Sequence, residues 1–217
     1  MNRLTNPIQQ IVDYIQEIRV ALVPAERILE TIDVVPAVAD KPGATRMPPI
    51  RGDVHFQNVT FSYEDGRPVL HDVTFTARSG QRVAIVGHSG SGKSTIVNLL
   101  LRLYDPVSGC VRVDGVDLRD VTQTSYQEQI GLVMQETYLF GGTVRTNLLF
   151  SNPDATEDER RQAARQAEIL DWIDRLPHGL DTDLSEGAKL SIGQKQRLGL
   201  ARALLRDAEI LIFDEPT

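Results

Sequence analysis

Hydrophobic spacing changes along the 217-residue chain and divides it into three parts. In residues 1–34, apolar side chains recur every three or four positions, which predicts one face of a helix. Pro7 suits the start of this helix, and Pro24 predicts a kink or break within it. Residues 35–53 contain four prolines and two glycines, and this composition predicts an extended linker. The helical pattern consists of Ile8, Ile11, Val12, Ile15, Ile18, Leu22, Ile28, Leu29 and Ile32.

From Val54 to Thr217, short strand patterns alternate with helical ones. VHFQNVTFSY and PVLHDVTFTA predict two strands, and GCVRVDGVDL predicts a hairpin. IGLVMQ, EILIFDE and RVAIV (82–86) are apolar runs typical of buried strands, the last of a strand covered on both faces. Residues 143–206 predict mainly helices. This alternation predicts a layered α/β fold.

The sequence GHSGSGKST lies between RVAIV and a predicted helix. Its pattern, Gly-x4-Gly-Lys-Ser, is that of a phosphate-binding loop in the expected strand-to-helix setting. Glycines let backbone N–H groups converge on an anion, and the helix start adds the positive end of its dipole. Lys93 would contact the β- and γ-phosphates of a nucleotide, and Ser94 would ligate Mg²⁺. The less specific alternative is a glycine-rich turn with an exposed lysine. The candidate nucleotide-binding residues are Gly87, His88, Ser89, Gly90, Ser91, Gly92, Lys93, Ser94 and Thr95.

Two adjacent carboxylates, Asp214 and Glu215, follow the last predicted strand. Ligands of open α/β sheets bind beyond the carboxyl ends of the strands. Asp214 would therefore hold Mg²⁺, and Glu215 would act as general base on the water that attacks the γ-phosphate. Without the phosphate loop, a solvated acidic turn would be the better interpretation.

Ser191 and Gln194 have the spacing of a capping box at the start of a helix. Gly193 between them leaves room for the close approach of an anion to the helix start. Capping and anion binding are compatible, and the spacing does not choose between them.

Charge and composition exclude several classes of protein. The chain has 23 basic and 30 acidic residues, without a basic block, so we expect no nucleic-acid partner. Its four histidines and single cysteine lack the spacing of a zinc site. No run reaches the length of a membrane span, and the N-terminus does not have the pattern of a signal peptide.

Taken together, GHSGSGKST, LSIGQ and ILIFDE resemble the Walker A, signature and Walker B motifs of ATP-binding-cassette (ABC) transporters. The resemblance covers residues 54–217 and implies an α/β fold: a P-loop NTPase core sheet, an antiparallel β subdomain and a helical subdomain, preceded here by an N-terminal helix. It implies that Tyr63 stacks on adenine and that Gln135 joins Mg²⁺ and the attacking water to the helical subdomain. The signature residues Ser191, Ile192, Gly193 and Gln194 would contact the ATP of a second subunit.

The subtype implied is an exporter with membrane and ATPase domains in one chain. LFGGTVRTNLLF (139–150) is similar to such exporters, and residues 1–34 resemble the cytoplasmic end of their last transmembrane helix. The expected partners are ATP, a second nucleotide-binding domain in a head-to-tail dimer, and the transmembrane domains. The expected location is the cytoplasmic face of a membrane, and the expected cofactor is Mg²⁺. The transported substrate is not encoded in these residues.

Two departures from the family pattern stand out. Ile192 occupies a position where the family has glycine, which would matter if that position required a positive φ. The chain ends at Thr217, whereas the family continues to a histidine that senses the γ-phosphate, so the resemblance implies a domain incomplete at its C-terminus, with weak or no hydrolysis by itself. The alternatives are a non-transport ABC ATPase, a separate importer subunit, or an inactive fragment. The interval between Thr95 and Gly193 is short and has no sustained heptads, which disfavours a non-transport ABC ATPase with an inserted coiled coil. The helix predicted before the first strand disfavours a separate importer subunit.

Overall fold

The computed structural model describes residues 14, 16–18, 20, 22, 24, 27–29, 32, 36, 38–63, 66–134, 137–185 and 190–214. The chain divides into two compact units, Met1–Ala37 and Val38–Thr217. In the first unit, every described residue from 14 to 32 is helical, as the apolar periodicity predicts, and the apolar side chains among them are exposed. Pro24 is itself helical, while Pro7 lies outside the described residues. No helix in the described part of the chain is long and apolar enough to cross a membrane.

The second unit contains a four-stranded antiparallel sheet in the order β2-β1-β3-β4. Its strands are β1 (Val54–Ser62), β2 (Pro68–Ala77), β3 (Ser108–Val113) and β4 (Val116–Asp117). In the centre, Val54 of β1 lies opposite Ala77 on one side and Val113 on the other. Successive strand residues face opposite sides, and Val54 and Phe56 are accordingly buried in the core. The predicted first strands and the predicted hairpin are confirmed.

A separate parallel sheet pairs β5 (Ile130–Val133) with β6 (Ile210–Phe213) in register. One face contributes Ile210 and Ile212 to the core beneath the antiparallel sheet. On the other face, Leu211 and Phe213 are 38% and 43% exposed. The two strands form where the sequence predicts them, and the predicted burial holds only in part. On this second face Gly131 lies against Ala203 and Val133 is 7% exposed, so β5 is covered there while β6 is not.

The prediction of a buried strand at RVAIV is wrong. Residues 81–88 have no regular secondary structure, and Val83 and Val86 are 50% and 90% exposed. A strand needs a neighbour that satisfies its backbone N–H and C=O groups. Among the described strands, none pairs with 82–86. Apolar composition alone therefore does not produce a strand here.

Eight-residue helix α1 (Lys93–Leu100) follows the glycine-rich loop and buries Leu99 in the first core. The remaining helices are α2 (Gln123–Gln127), α3 (Val144–Leu149), α4 (Glu157–Gln166), α5 (Leu170–Asp174) and α6 (Ile192–Leu205), with 3₁₀ turns at Leu118–Asp120 and Gly179–Asp181. Helices α3–α6 surround a second hydrophobic core that includes Leu148, Ile173 and Leu198. A sheet-containing part and a helical part, each with its own core, agree with the predicted fold class.

Residues 38–50, which the sequence predicts as linker, belong to the second unit and contain a turn at 42–43 but no helix or strand. Thr45 N donates to Asp120 O (3.1 Å), and Thr122 N donates to Thr45 O (2.8 Å). Met47 and Ile50 are buried in the first core. The boundaries predicted at residues 34 and 53 stay predictions, but 38–50 share the core of the larger unit.

Candidate nucleotide-binding site

The phosphate loop turns sharply before α1. Gly90 and Gly92 have φ angles of +80° and +86°, in the left-handed region that favours glycine. Gly92 is the N-cap residue of α1, and no described side chain caps this helix start. The first N–H groups of a helix have no partner within it. This geometry leaves them available to an anion.

Lys93 is held by the loop that precedes it. Its Nζ donates to the carbonyl oxygens of Gly87 (2.9 Å) and His88 (3.0 Å). Ser91 N also donates to His88 O (3.1 Å), which tightens the turn. A Cβ on Gly87 would lie 2.5 Å from Ser91 Oγ, so a larger residue at 87 would displace the Ser91 side chain. The ammonium group therefore lies against the loop, where the sequence predicts phosphate binding.

Tyr63, just past the end of β1, is linked to α1 by side-chain contacts. Its hydroxyl lies 3.2 Å from Thr95 Oγ1 and accepts a longer hydrogen bond from Asn98 Nδ2 (3.4 Å). Its ring packs edge-on against Phe61 and Tyr104. Thr95 is only 5% exposed, so its hydroxyl forms a hydrogen bond within the domain. The candidate adenine-binding residue is thus attached to the helix that follows the phosphate loop.

Asp214 lies at the carboxyl end of β6, beside the end of β5. Its backbone N–H donates to Val133 O (3.0 Å). Parallel pairing therefore places Asp214 next to Met134, the residue before Gln135. Gln135 and Glu215, the candidate Mg²⁺ ligand and general base, lie outside the described residues.

A cleft of about 210 Å³ separates these strand ends from residues 193–200 of α6. Met134 and Asp214 line it on the sheet side, and Gly193, Arg197 and Leu200 line it on the helix side. The structure therefore brings the predicted carboxylate and part of the predicted signature sequence to the same cleft.

The start of α6 has the predicted capping box. Ser191 Oγ accepts from Gln194 N (3.2 Å), and Gln194 Oε1 accepts from Ser191 N (2.9 Å). Ile192 is 74% exposed and does not have a positive φ, so this position does not require glycine for its backbone conformation. A Cβ on Gly193 would meet no described atom within 4 Å. The space beside Gly193 is open to a group from outside the chain.

In the described part of the chain, the two halves of the predicted site are not joined by polar contacts. Among the described residues, no hydrogen bond or ion pair joins 87–95 to Asp214 or to 191–194. Within the same part of the chain, no group of three or more His, Cys, Asp or Glu side chains is placed to hold a metal ion.

The sequence interpretation missed three residues that connect α6 to the segment after Gln135. Arg202 Nη1 donates to Tyr138 O (2.6 Å), and its guanidinium carbon lies 5.3 Å from the centre of the Phe140 ring. Asn147 on α3 is fully buried, and Gly199 lies against Thr137. Burial lowers the pKa of Arg202. These contacts join residues far apart in sequence, so spacing gives no signal for them.

Comparison with known proteins assigns the family. The ABC transporter family model matches residues 70–217, more than half of the chain. The chain belongs to the ABC transporter family. The resemblance carried by the Walker A, signature and Walker B motifs is therefore confirmed, and so is the fold class that it implies.

The relatives in this family include a protein named for export and one named a flippase. The chain is 44% identical over 215 residues to the beta-(1→2)glucan export ATP-binding/permease protein NdvA of Rhodopseudomonas palustris, covering 99% of this chain and 36% of that protein. It is 42% identical over 213 residues to the ATP-dependent lipid A-core flippase of Desulfotalea psychrophila, covering 98% and 37%. The chain thus spans just over a third of the length of these relatives.

A solved ABC exporter has the same fold. A bacterial Atm1-family ABC exporter with ATP bound matches at a TM-score of 0.86 and 42% identity, over 98% of this chain and 37% of the exporter. The ABC family assignment thus rests on agreement of motifs, sequence and fold.

Proposed function

We propose that this chain is the ATP-binding and ATP-hydrolysing domain of an ABC exporter, in which closure of two such domains on ATP drives transport across a membrane. One observation carries the proposal: the loop 87–92 folds against Lys93 immediately before the uncapped start of α1. Backbone donors, a helix dipole and an ammonium group at one place suit a triphosphate. The names of two relatives support this proposed function, since one is an export ATP-binding/permease protein and the other an ATP-dependent flippase.

The chain's oxygen ligands suit Mg²⁺, which prefers carboxylate, hydroxyl and amide oxygens. Ser94 is exposed in the first turn of α1, and Asp214 is half-buried at the end of β6. With Gln135, they would hold the ion, which would neutralise charge on the β- and γ-phosphates. Glu215 would accept a proton from the attacking water. Lys93 would stabilise the negative charge of the γ-phosphate.

A second copy of the domain would complete each ATP site. The start of α6 is capped by Ser191 and open beside Gly193, where no described atom would meet a Cβ. An ATP phosphate of the partner domain fits this space, because the helix start offers further N–H donors and its positive dipole end. Ile192 contributes a backbone N–H in helical conformation, as glycine would.

The parent protein would lie in a membrane, with this domain on the cytoplasmic face. The described helical residues between 14 and 32 have exposed apolar side chains, including Val20 (74%) and Ile32 (70%). Such a helix suits continuation into the transmembrane domains of the same transporter. Dimer closure on ATP and reopening after hydrolysis would then move those domains.

The test of this function is the replacement Lys93→Ala. We expect loss of measurable ATP binding by isothermal titration calorimetry at ATP concentrations that saturate the original chain. Lys41→Ala is the matched control, because Lys41 lies in the segment 38–50 and forms only an exposed ion pair with Asp120. This variant should leave the ATP affinity unchanged. Unchanged ATP affinity in Lys93→Ala would show that the phosphate loop is wrongly assigned.

A further inference from the structure

Arg202 joins three groups on two other elements. Besides Tyr138 O, its guanidinium donates from Nε to Asn147 O (3.0 Å) and from Nη2 to Asn147 Oδ1. Among the described residues, no carboxylate forms an ion pair with it. A planar guanidinium holds several acceptors in a fixed arrangement. Arg202 therefore sets the position of α3 and of residues 138–140 relative to α6.

Asn147 completes the connection with hydrogen bonds to both backbone groups of Phe140. Its Oδ1 accepts from Phe140 N (3.0 Å), and its Nδ2 donates to Phe140 O (2.9 Å) and Thr143 O (3.0 Å). A buried amide whose donors and acceptor are all satisfied fixes its partners, since breaking any bond leaves an unpaired group. The backbone at Phe140 is consequently tied to α3 and, through Arg202, to α6.

One turn earlier on α6, Gly199 allows direct packing of the same segment. A Cβ at Gly199 would lie 2.7 Å from Thr137 Oγ1 and 2.8 Å from Thr137 Cγ2. Gly199 and Arg202 are three residues apart and therefore lie on the same face of the helix. Thr137 lies two residues after Gln135. The segment 137–140 is thus in contact with α6 at two successive turns.

We propose that Arg202, Asn147 and Gly199 are positioning residues that make segment 137–140 and helix α6 move as one body. On the proposed function, Gln135 helps to hold Mg²⁺ at the nucleotide of its own domain, and the start of α6 contacts the nucleotide of the partner. The brace formed by these three residues would transmit nucleotide binding at Lys93 to Ser191 and Gly193. The inference rests on the proposed function, because it requires ATP at the phosphate loop.

The experiment is hydrogen–deuterium exchange of the chain with and without MgATP. In the original chain we expect MgATP to slow exchange both in 137–140 and in the amides of 195–201. Arg202→Lys keeps the charge but loses the multiple hydrogen bonds, so protection of 195–201 should fall by about tenfold while ATP affinity stays the same. Arg206→Lys is the matched control, because Arg206 lies one turn later and donates to Glu128 O (3.0 Å). It should behave like the original chain.

A second pair of variants keeps the test independent of Arg202. In Gly199→Ala, MgATP should still slow exchange in 137–140 but no longer in 195–201. Adding Thr137→Ala removes the two atoms nearest the new Cβ and should restore the protection of 195–201. If Gly199 mattered for folding alone, Gly199→Ala would lower the urea midpoint of unfolding, while MgATP would still slow exchange in both 137–140 and 195–201. The proposed coupling would be wrong if MgATP protected 195–201 equally in Arg202→Lys and in the original chain. It would also be wrong if the original chain bound ATP without slower exchange in 195–201. Failure of the original chain to bind ATP would instead refute the proposed function.

Discussion

Asp40 Oδ1 lies 3.3 Å from the guanidinium Nη1 of Arg102, whose side chain is 1% exposed. The same oxygen accepts from Gln123 N (2.8 Å) at the start of α2. Arg102 follows the end of α1, and its Nη1 also donates to Val121 O. Its Nε lies 3.7 Å from Asp105 Oδ1, an ion pair too long for a hydrogen bond, and neither Nε nor Nη2 has a hydrogen-bond partner among the described residues. Asp40 is therefore important for balancing a buried positive charge.

We predict that Asp40→Ala lowers the free energy of unfolding by about 2 kcal/mol, because the buried guanidinium of Arg102 loses the nearer of its two carboxylates and keeps only Asp105 at 3.7 Å. Urea unfolding followed by circular dichroism measures this difference. Lys41→Ala is the neighbouring control: its pair with Asp120 is 53% and 65% exposed and should contribute less than about 0.5 kcal/mol. Equal losses in both variants would contradict a special role for Asp40.

A companion variant separates the charge from the packing. Arg102→Met in the Asp40→Ala background removes the incompletely balanced guanidinium and should recover part of the lost stability, since an apolar side chain tolerates burial. Further destabilisation of the double variant would indicate that Arg102 acts through its remaining hydrogen bond to Val121 O.

The capping box of α6 allows stability to be separated from nucleotide contact. Ser191→Ala should lower the free energy of unfolding by about 1 kcal/mol, because Gln194 N loses its acceptor. Thr156 forms the equivalent box with Glu159 at the start of α4. Thr156→Ala should therefore lower the free energy of unfolding by a similar amount. Chemical denaturation of both variants measures the two differences.

Aspartate at the same positions tests the contact with the partner's ATP. Ser191→Asp keeps the cap, but its carboxylate would repel the phosphates, so ATP-dependent association should be lost while stability is retained. Thr156→Asp should change neither property. Sedimentation velocity with MgATP measures association, and normal ATP-driven association of Ser191→Asp would remove Ser191 from the shared site.

These features show which parts of the molecule follow from local sequence. The phosphate loop and the Ser191–Gln194 box depend on residues a few positions apart, and for the box the structure agrees with the spacing. Periodicity also predicts the helices of 143–206, because one apolar face per helix is sufficient to form the second core. Element type is thus predictable where neighbours in sequence determine it.

Contacts between distant segments are not predictable in this way. Asp40 and Arg102 are 62 positions apart, and Asn147 and Arg202 are 55 apart. The RVAIV run illustrates the same limit, since strand formation depends on a paired neighbour rather than on composition. For the site, spacing indicates which residues carry the chemistry, whereas the residues that position them emerge only from packing.

Tyr63 provides a test of base recognition. Tyr63→Leu should weaken ATP binding by roughly tenfold, because stacking of an aromatic ring on a base contributes about 1–3 kcal/mol. Tyr63→Phe keeps the ring and loses the contact with Thr95, so it should change the affinity by less than about threefold. Inorganic tripolyphosphate has no base, and its affinity should be equal in all three proteins. A parallel loss of tripolyphosphate binding would mean that Tyr63 acts through the loop and α1 instead of the base.

Ile192 is the clearest departure of the signature from its family pattern, and its geometry predicts a small functional effect. Ile192 is the first residue of α6, is exposed, and does not need a positive φ. Its N–H is therefore oriented by the helix and not by the identity of the side chain. Ile192→Gly should lower the free energy of unfolding by at most about 1 kcal/mol, since glycine loses more backbone entropy on folding.

The functional comparison is best made in the Glu215→Gln background, in which slowed hydrolysis should preserve an ATP-bound dimer. In that background, Ile192→Gly should change the ATP concentration for half-maximal dimer formation by less than about threefold, a difference below 1 kcal/mol. Analytical ultracentrifugation over a series of MgATP concentrations provides the measurement. A tenfold gain on introducing glycine would show that the isoleucine side chain obstructs the partner's nucleotide, and that the open space beside Gly193 is too small for the phosphates.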